Sequence, residues 1–391
     1  MSGLRTIEQA LADVLGRCRA LPAEKVELGA AYRRVLAAEA RAVSDLPPFD
    51  SSAMDGYAVR AADTPGTLRV SGHSAAGHPA SGDLQAGEAI EISTGAVVPA
   101  GADAVVQVER VVARAGEIDA EGVGPGENIR PRGGDVHAGD VVVAAGVELG
   151  PAQLGALAAA GVAEVVCGRA AQVVVLPTGS ELRPPGAPLG PGEIYESNST
   201  LLAAQLASAG AHADVLAPVA DDERATRAAL ERGLSADVLL TSGGVSVGPH
   251  DLVRTLLAEL GVTEIFWGVS VRPGKPVFFG VRDSTLVFGL PGNPVSTLVS
   301  FELFVRPALA ALQGAADPGP HYRAGRLGRT VRRNEARDDL LRAVADGDTL
   351  TPLGGQESHM IVRAAAANAL VHVPRGDGEL EAGAHVSWLP V

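Results

Sequence analysis

The chain has 391 residues, 46% of them hydrophobic and 20% charged, with a formal net charge of −14 and aromatic side chains at only 3%. At roughly 150 residues per domain this length corresponds to about two to four domains. The acidic balance and the scarcity of stacking rings argue against a nucleic-acid partner, because affinity for phosphate backbones needs a basic face and aromatic platforms. Cys18 and Cys167 lie far apart with no CxxC pair, which excludes a zinc ribbon, argues against a disulfide framework and fits a reducing cytoplasm.

Thr6-Ile-Glu-Gln9 is a capping box opening an amphipathic helix with Ile7, Ala10, Leu11, Val14 and Leu15 on one side. It lacks the basic and apolar regions of a signal peptide. Apolar runs of membrane-spanning length are all interrupted by Gly, Pro or charge, so no membrane partner is expected. The helical texture runs to about Arg41 and gives way to short strands with Gly and Pro turns from Val43 to about Gly134, including 88–93 and 104–109. A helix returns over 150–161, with Pro151 near its start. The pattern predicts a discontinuous helical domain, residues 1–42 and 135–167, interrupted by an inserted β-domain at 43–134.

From 168 to 316 the rhythm is strand, loop, helix. Strands are expected at 172–176, 213–219, 237–240, 264–271 and 285–289, and helices at 199–209, 222–234, 252–260 and 295–312. Apolar strands alternating with helices imply an α/β domain with a mainly parallel sheet covered on both faces, whose ligand lies beyond the carboxyl ends of the strands. Three strands run into Thr178-Gly-Ser-Glu181, Thr241-Ser-Gly-Gly244 and Leu290-Pro-Gly-Asn-Pro294, so these loops are expected to converge. Asp317-Pro-Gly-Pro320 reads as a linker, and the Gly-Asp turns beyond it predict a small antiparallel β-domain over 317–391.

The segment from Ala236 to Asp251 carries the strongest chemical signal: an apolar strand, a glycine-hydroxyl loop and a carboxylate at a helix start. Such a loop turns free backbone N–H groups toward an anion, and the helix adds its positive end. Thr241, Ser242, Gly243, Gly244 and Ser246 are the phosphate-binding candidates, although a glycine pair also serves as a plain tight turn. No Gly-Lys-Ser/Thr follows, so this is not a Walker A loop.

Glu181, Asp221 and Asp251 stand near strand ends of one sheet and offer the oxygen ligands that a divalent cation bridging phosphates prefers, though each also fits a helix cap. Arg272-Pro-Gly-Lys275 places two cations in a stiff turn, either a solvated loop or an oxyanion site. The loop Pro47–Arg60, with Asp55, and the turns Ser93-Thr94-Gly-Ala96 and Glu127–Asp135 are weak signals taken singly. His250 and His359 lack metal-site spacing.

Taken together, Ser51-Ser-Ala-Met-Asp-Gly-Tyr-Ala58, Ser93-Thr-Gly-Ala96, Glu127-Asn-Ile-Arg130, Thr178-Gly-Ser-Glu-Leu182, Thr241 to Asp251, Pro273-Gly-Lys-Pro276 and Leu290-Pro-Gly-Asn-Pro-Val295 resemble the molybdopterin molybdenumtransferase family. That family includes bacterial MoeA and the E domain of gephyrin. The motifs follow the family's order and span most of the chain. The resemblance implies a multidomain fold with a helical domain, an inserted β-domain, a MogA-like α/β domain and a C-terminal β-barrel. It also implies a homodimer whose active site is completed by the β-domain of one subunit facing the last two domains of the other.

The implied reaction inserts molybdate into adenylylated molybdopterin, with Mg2+-assisted cleavage of the pyrophosphate bond and release of AMP. By the same resemblance Asp55 and Thr94 act opposite the phosphate loop, and Glu181, Asp221 and Asp251 support the metal or position water. Arg130, Asp135, Thr178, Ser242, Gly243, Gly244, Ser246, Pro291 and Pro294 would contact substrate, and Arg272, Lys275, Arg342 and Ser358 would hold molybdate. The implied partners are a molybdopterin adenylyltransferase and molybdoenzyme apoproteins.

Two departures stand out. Arg272 replaces the family's usual Lys, and Leu252 follows Asp251 where Tyr is more common. Two alternatives remain at this point. One is adenylylation of molybdopterin from ATP, against which the β-domain motifs argue; the other is a non-enzymatic carrier or scaffold.

Overall fold

The computed structural model describes residues 3–219, 222–244 and 252–391. Its first segment departs from the expected helical texture. Between residues 6 and 41 only Ile7–Leu15 is α-helical, with one 3-10 turn at Leu28–Ala30; the Thr6 capping box forms, and Gly16 caps the end. Gly16 and Pro22 stop propagation, and Ala23–Glu27 becomes a strand paired antiparallel with Glu164–Gly168. Ile7, Ala10 and Val14 of the helix pack into the core of the α/β unit, against the helix Pro294–Leu312. The second expected helix forms at Pro151–Ala159, with proline in its first turn where a missing N–H costs nothing.

The inserted strands form a six-stranded sheet in the order Ala104–Gln107, Gly56–Val59, Glu88–Ile92, Gly66–Ser74, Glu117–Ala120 and Val111–Arg114. Its apolar side buries Val59, Leu68, Ala89, Val106 and Ile118. A short pairing of Ser51–Ser52 with Ile129–Arg130 brings Arg130 opposite Ser51, close in sequence to Asp55.

The α/β sheet runs His212–Val215, Gln172–Pro177, Val238–Ser242, Thr285–Leu290, Phe278–Arg282, Thr263–Trp267. The first four are parallel, and the last two join antiparallel at one edge. Alternation sends Val173, Val175 and Leu240 into one core with the 198–208 and 294–312 helices, while Val174, Leu176 and Leu239 enter another with the helices 223–233 and 252–259. Both faces are therefore covered, which is why the central strands are apolar through Val173–Leu176 and Val238–Leu240. The expected strand 213–219 is shorter, and 278–282 is a strand that periodicity did not single out.

The expected strand 264–271 divides. Gly268 takes a positive φ of 91°, and beyond it Val271–Arg272 leaves the sheet to pair, parallel, with Asp338–Asp339 of the C-terminal unit. That unit is a closed five-stranded barrel: Asp338–Asp346, Thr349–Pro352, Arg323–Leu327, His385–Pro390 and Ala369–Val373, which pairs back to the first. One pairing, 323–327 with 349–352, is parallel, so the unit is not wholly antiparallel. The helix Pro294–Leu312 has the length and apolar composition of a membrane span, yet its most apolar window is 72% buried inside the protein and serves as the central core helix.

Candidate active site

The three expected loops do converge. The Thr178 amide donates to the Ser242 carbonyl at 3.0 Å and the Gly243 amide to the Leu290 carbonyl at 3.1 Å, stitching three strand ends together. Asn198, at the start of the 198–208 helix, donates from its amide to Ser242 Oγ at 2.7 Å and to the Gly292 carbonyl at 2.8 Å, tying the helix to two of those loops. Gly243 is required as glycine: at φ 90° a Cβ there would lie 2.7 Å from the Thr178 carbonyl oxygen.

These loops line a cleft of about 740 Å³. Of the expected site residues it takes in Thr178, Glu181, Ser242, Gly243, Gly244, Pro291 and Pro294. Ser246, Asp221 and Asp251 lie outside the described residues. Glu196 and Tyr195 also line this cleft and carried no sequence signal beyond the approach to a helix start.

A second cleft, of about 550 Å³, adjoins the first and shares Pro276, Pro291, Asn293 and His359 with it. Its walls carry Arg272, Lys275, Ser296, Arg337 and Ser358. Asn293 Nδ2 donates to Ser358 Oγ at 2.9 Å and the Val295 amide to the Ser358 carbonyl at 3.1 Å, so the α/β domain and the barrel close this cleft jointly. Arg337 was missed by motif reasoning because it stands in an arginine-rich stretch, Arg332 to Arg337, that reads as solvated surface. In the fold it is half-buried and turned to the cleft.

Two expected molybdate contacts have other attachments. Arg342 is 1% exposed, with its guanidinium donating to the carbonyls of Met360 at 2.9 Å, Gly355 at 2.7 Å and Glu357 at 3.2 Å, and to Gln356 Oε1 at 3.3 Å. It therefore fastens the 355–360 loop that carries Ser358 and lines neither cleft, a correction to its expected direct contact with the oxyanion. Burial pulls its pKa down, opposed by the Glu357 carboxylate. Arg272 lines the second cleft but is forked onto Asp339, with Nε 2.7 Å from Oδ1 and Nη2 bonded to Oδ2. Burial raises the Asp339 pKa, and its ion pair with Arg272 opposes that rise.

On the β-domain, Asp55 Oδ1 accepts the Thr94 amide at 2.7 Å, so these two exposed residues do form a unit. Neither lines the clefts, and the same holds for exposed Arg130 and Asp135. Among the described residues no group of three or more His, Cys, Asp or Glu converges as a metal site. The carboxylate residues lining the first cleft are Glu181 and Glu196, the latter accepting the Ser199 amide at 2.9 Å.

Family models match along the chain: MoeA N-terminal region (domain I and II) at residues 5–161, a probable molybdopterin binding domain at 174–311, and MoeA C-terminal region (domain IV) at 324–391. Molybdopterin molybdenumtransferase 2 of Mycobacterium tuberculosis is 38% identical over 404 aligned positions, covering 98% of each chain. The molybdopterin molybdenumtransferase of Haemophilus influenzae is 36% identical over 400, again with 98% of each covered. Among solved structures, a molybdopterin biosynthesis MoeA protein from Pyrococcus horikoshii superposes with a TM-score of 0.76 at 33% identity, covering 99% of both chains. With three matched segments in order and full-length relatives above 30% identity, this chain belongs to the molybdopterin molybdenumtransferase family.

Proposed function

We propose that this molybdopterin molybdenumtransferase uses its two adjoining clefts for the two substrates of one reaction, adenylylated molybdopterin in the first and molybdate in the second, with AMP released. The observation that carries the reading is the shared wall: Pro276, Pro291, Asn293 and His359 border both clefts, so ligands in the two sit next to each other. The first cleft offers a glycine loop, the hydroxyl residues Thr178 and Ser242 and few charges, which suits a long phosphate ester. The second offers Arg272, Lys275 and Arg337 against one carboxylate residue, Glu357, a net positive lining that suits a compact dianion.

Thr178, Ser242, Gly243 and Gly244 bind the phosphates, and Pro291 and Pro294 hold that wall rigid. Glu181, with Asp221 and Asp251, would hold Mg2+, whose oxygen preference these carboxylates meet and which, when bound, neutralises charge on the pyrophosphate. Lys275 and Arg337 draw the molybdate oxygens toward the pterin dithiolene, with Ser358 donating a hydrogen bond. Asp55 and Thr94 reach the site from the β-domain of a second copy in a homodimer, because within one chain they line neither cleft. Arg130 belongs to the same arm, and Asp135 stands just beyond its end. Free Cys18 and Cys167 accord with a cytoplasmic setting. An adenylyltransferase would supply the substrate and apoproteins would accept the product.

The deciding measurement is AMP release from adenylylated molybdopterin with Mg2+, with and without molybdate. Release that depends on molybdate supports insertion. Binding without release leaves the carrier reading, and formation of the adenylylated substrate from ATP leaves the adenylyltransferase reading.

A further inference from the structure

Arg272 and Asp339 meet where the α/β domain joins the barrel, in register as neighbours of the parallel pairing between Val271–Arg272 and Asp338–Asp339. The two partners are unequally exposed: the Asp339 side chain is 1% accessible, whereas that of Arg272 is 51% accessible. The carboxylate engages Nε and Nη2 of the guanidinium. A planar fork held along that edge keeps Nη1 and its protons on the opposite side, in a fixed direction. Arg272 is at the same time part of the wall of the second cleft.

We infer that Asp339 is a positioning residue for the oxyanion: by gripping one edge of Arg272 it presents the other edge to the second cleft. This rests on the reading of that cleft as the molybdate site. A lysine at position 272 would not be aimed in this way, because the three N–H donors of its ammonium turn about one nitrogen and pairing with Asp339 fixes no rigid edge toward the cleft. The arrangement gives Arg a reason to stand here, and it binds the oxyanion pocket to the interdomain pairing. It also sets a sign. Removing the Asp339 charge leaves the cleft more positive, which by electrostatics alone strengthens anion binding, whereas losing the grip on Arg272 weakens it.

The test is a calorimetric titration of sodium molybdate into the full-length protein and its Asp339→Asn, Arg272→Met and doubly substituted variants, with KM and kcat for molybdate taken from AMP release. Asp339→Asn is expected to weaken molybdate binding at least fivefold and raise KM equally, with kcat within twofold. In the Arg272→Met background the same substitution is expected to change nothing further. Arg272→Met alone strips a buried carboxylate of its forked ion pair and leaves it only the Asn334 hydrogen bond and the Arg337 charge, so thermal unfolding accompanies the titrations, and the double variant, lacking both charges, is the folded reference. Unchanged or tighter binding by Asp339→Asn overturns the inference, as does an equal effect of that substitution without Arg272. If the native protein takes up no molybdate, the oxyanion reading of the cleft falls and takes the inference with it; native uptake with an indifferent Asp339→Asn overturns the inference alone.

Discussion

The two clefts share a wall but are built by opposite means. The first is assembled from backbone at the ends of three strands of one sheet, and its shape is set by amide-to-carbonyl bonds such as Thr178 to Ser242 and by where a Cβ cannot fit, as at Gly243. The second is assembled from long charged side chains of two domains and is held by contacts across their seam, such as Asn293 with Ser358. A backbone site is fixed once the sheet forms. A side-chain site is only as exact as the docking that brings its pieces together. The difference teaches that substitutions in the first cleft act through local geometry, while those in the second act through charge and through residues that never touch the ligand.

The largest expected effect is on the charged cleft. Lys275→Ala removes a cation from the developing charge and is expected to lower molybdate-dependent AMP release about 10²-fold, with AMP binding retained; loss of both affinities together would break the separation of the clefts. Asp55→Asn is expected to cost a similar factor of about 10² in kcat, and mixing it with Lys275→Ala should restore part of the activity, because a mixed dimer contains one intact composite site. Absence of restoration, with mixed dimers verified, counts against the β-domain of a second copy completing the site.

Effects on the backbone cleft are expected to be smaller. Gly243→Ala forces a side chain into a left-handed position against Thr178 and should destabilise the protein by roughly 1–3 kcal/mol while weakening AMP more than molybdate. Arg342→Met should leave the carbonyls of Gly355, Glu357 and Met360 short of donors, at a cost of about 1–3 kcal/mol, and raise the molybdate KM through a displaced Ser358. An unchanged KM there would show that the loop holds without its buried cation. The smallest effect concerns neither cleft: burial pushes the Cys18 thiol up to about 12, so it should resist iodoacetamide at about pH 8 until the protein unfolds.

Much of this organisation was legible in the sequence because its causes are local. A run such as Gln172–Pro177, short, valine-rich and followed by a glycine turn, reads as a strand covered on both faces, and glycine after such a strand marks a loop. Thr6 and Gln9 define a helix start within four residues. The misreadings share a different cause. Residues 264–271 have strand character throughout, and only the presence of a barrel edge beside Val271–Arg272 takes the second half out of the sheet. Phe278–Arg282 becomes a strand because its neighbour, Thr285–Leu290, provides an edge to pair with. Arg342 was expected as an anion ligand by its motif resemblance to the family, whereas its burial beneath the 355–360 loop is a property of the fold.

By itself the sequence determined the alternation of strand and helix in the α/β unit, the three strand-end loops and the residue types available for phosphate and oxyanion, since these follow from periodicity, turn chemistry and charge over short stretches. Only the tertiary structure decided which cations face the second cleft and which are spent elsewhere. Arg272 is shared with a buried Asp339, Arg342 is turned to carbonyls, and Arg337 is brought in from the barrel. The physical reason is that an arginine's function depends on which acceptors surround it, and those acceptors come from segments far apart in the chain.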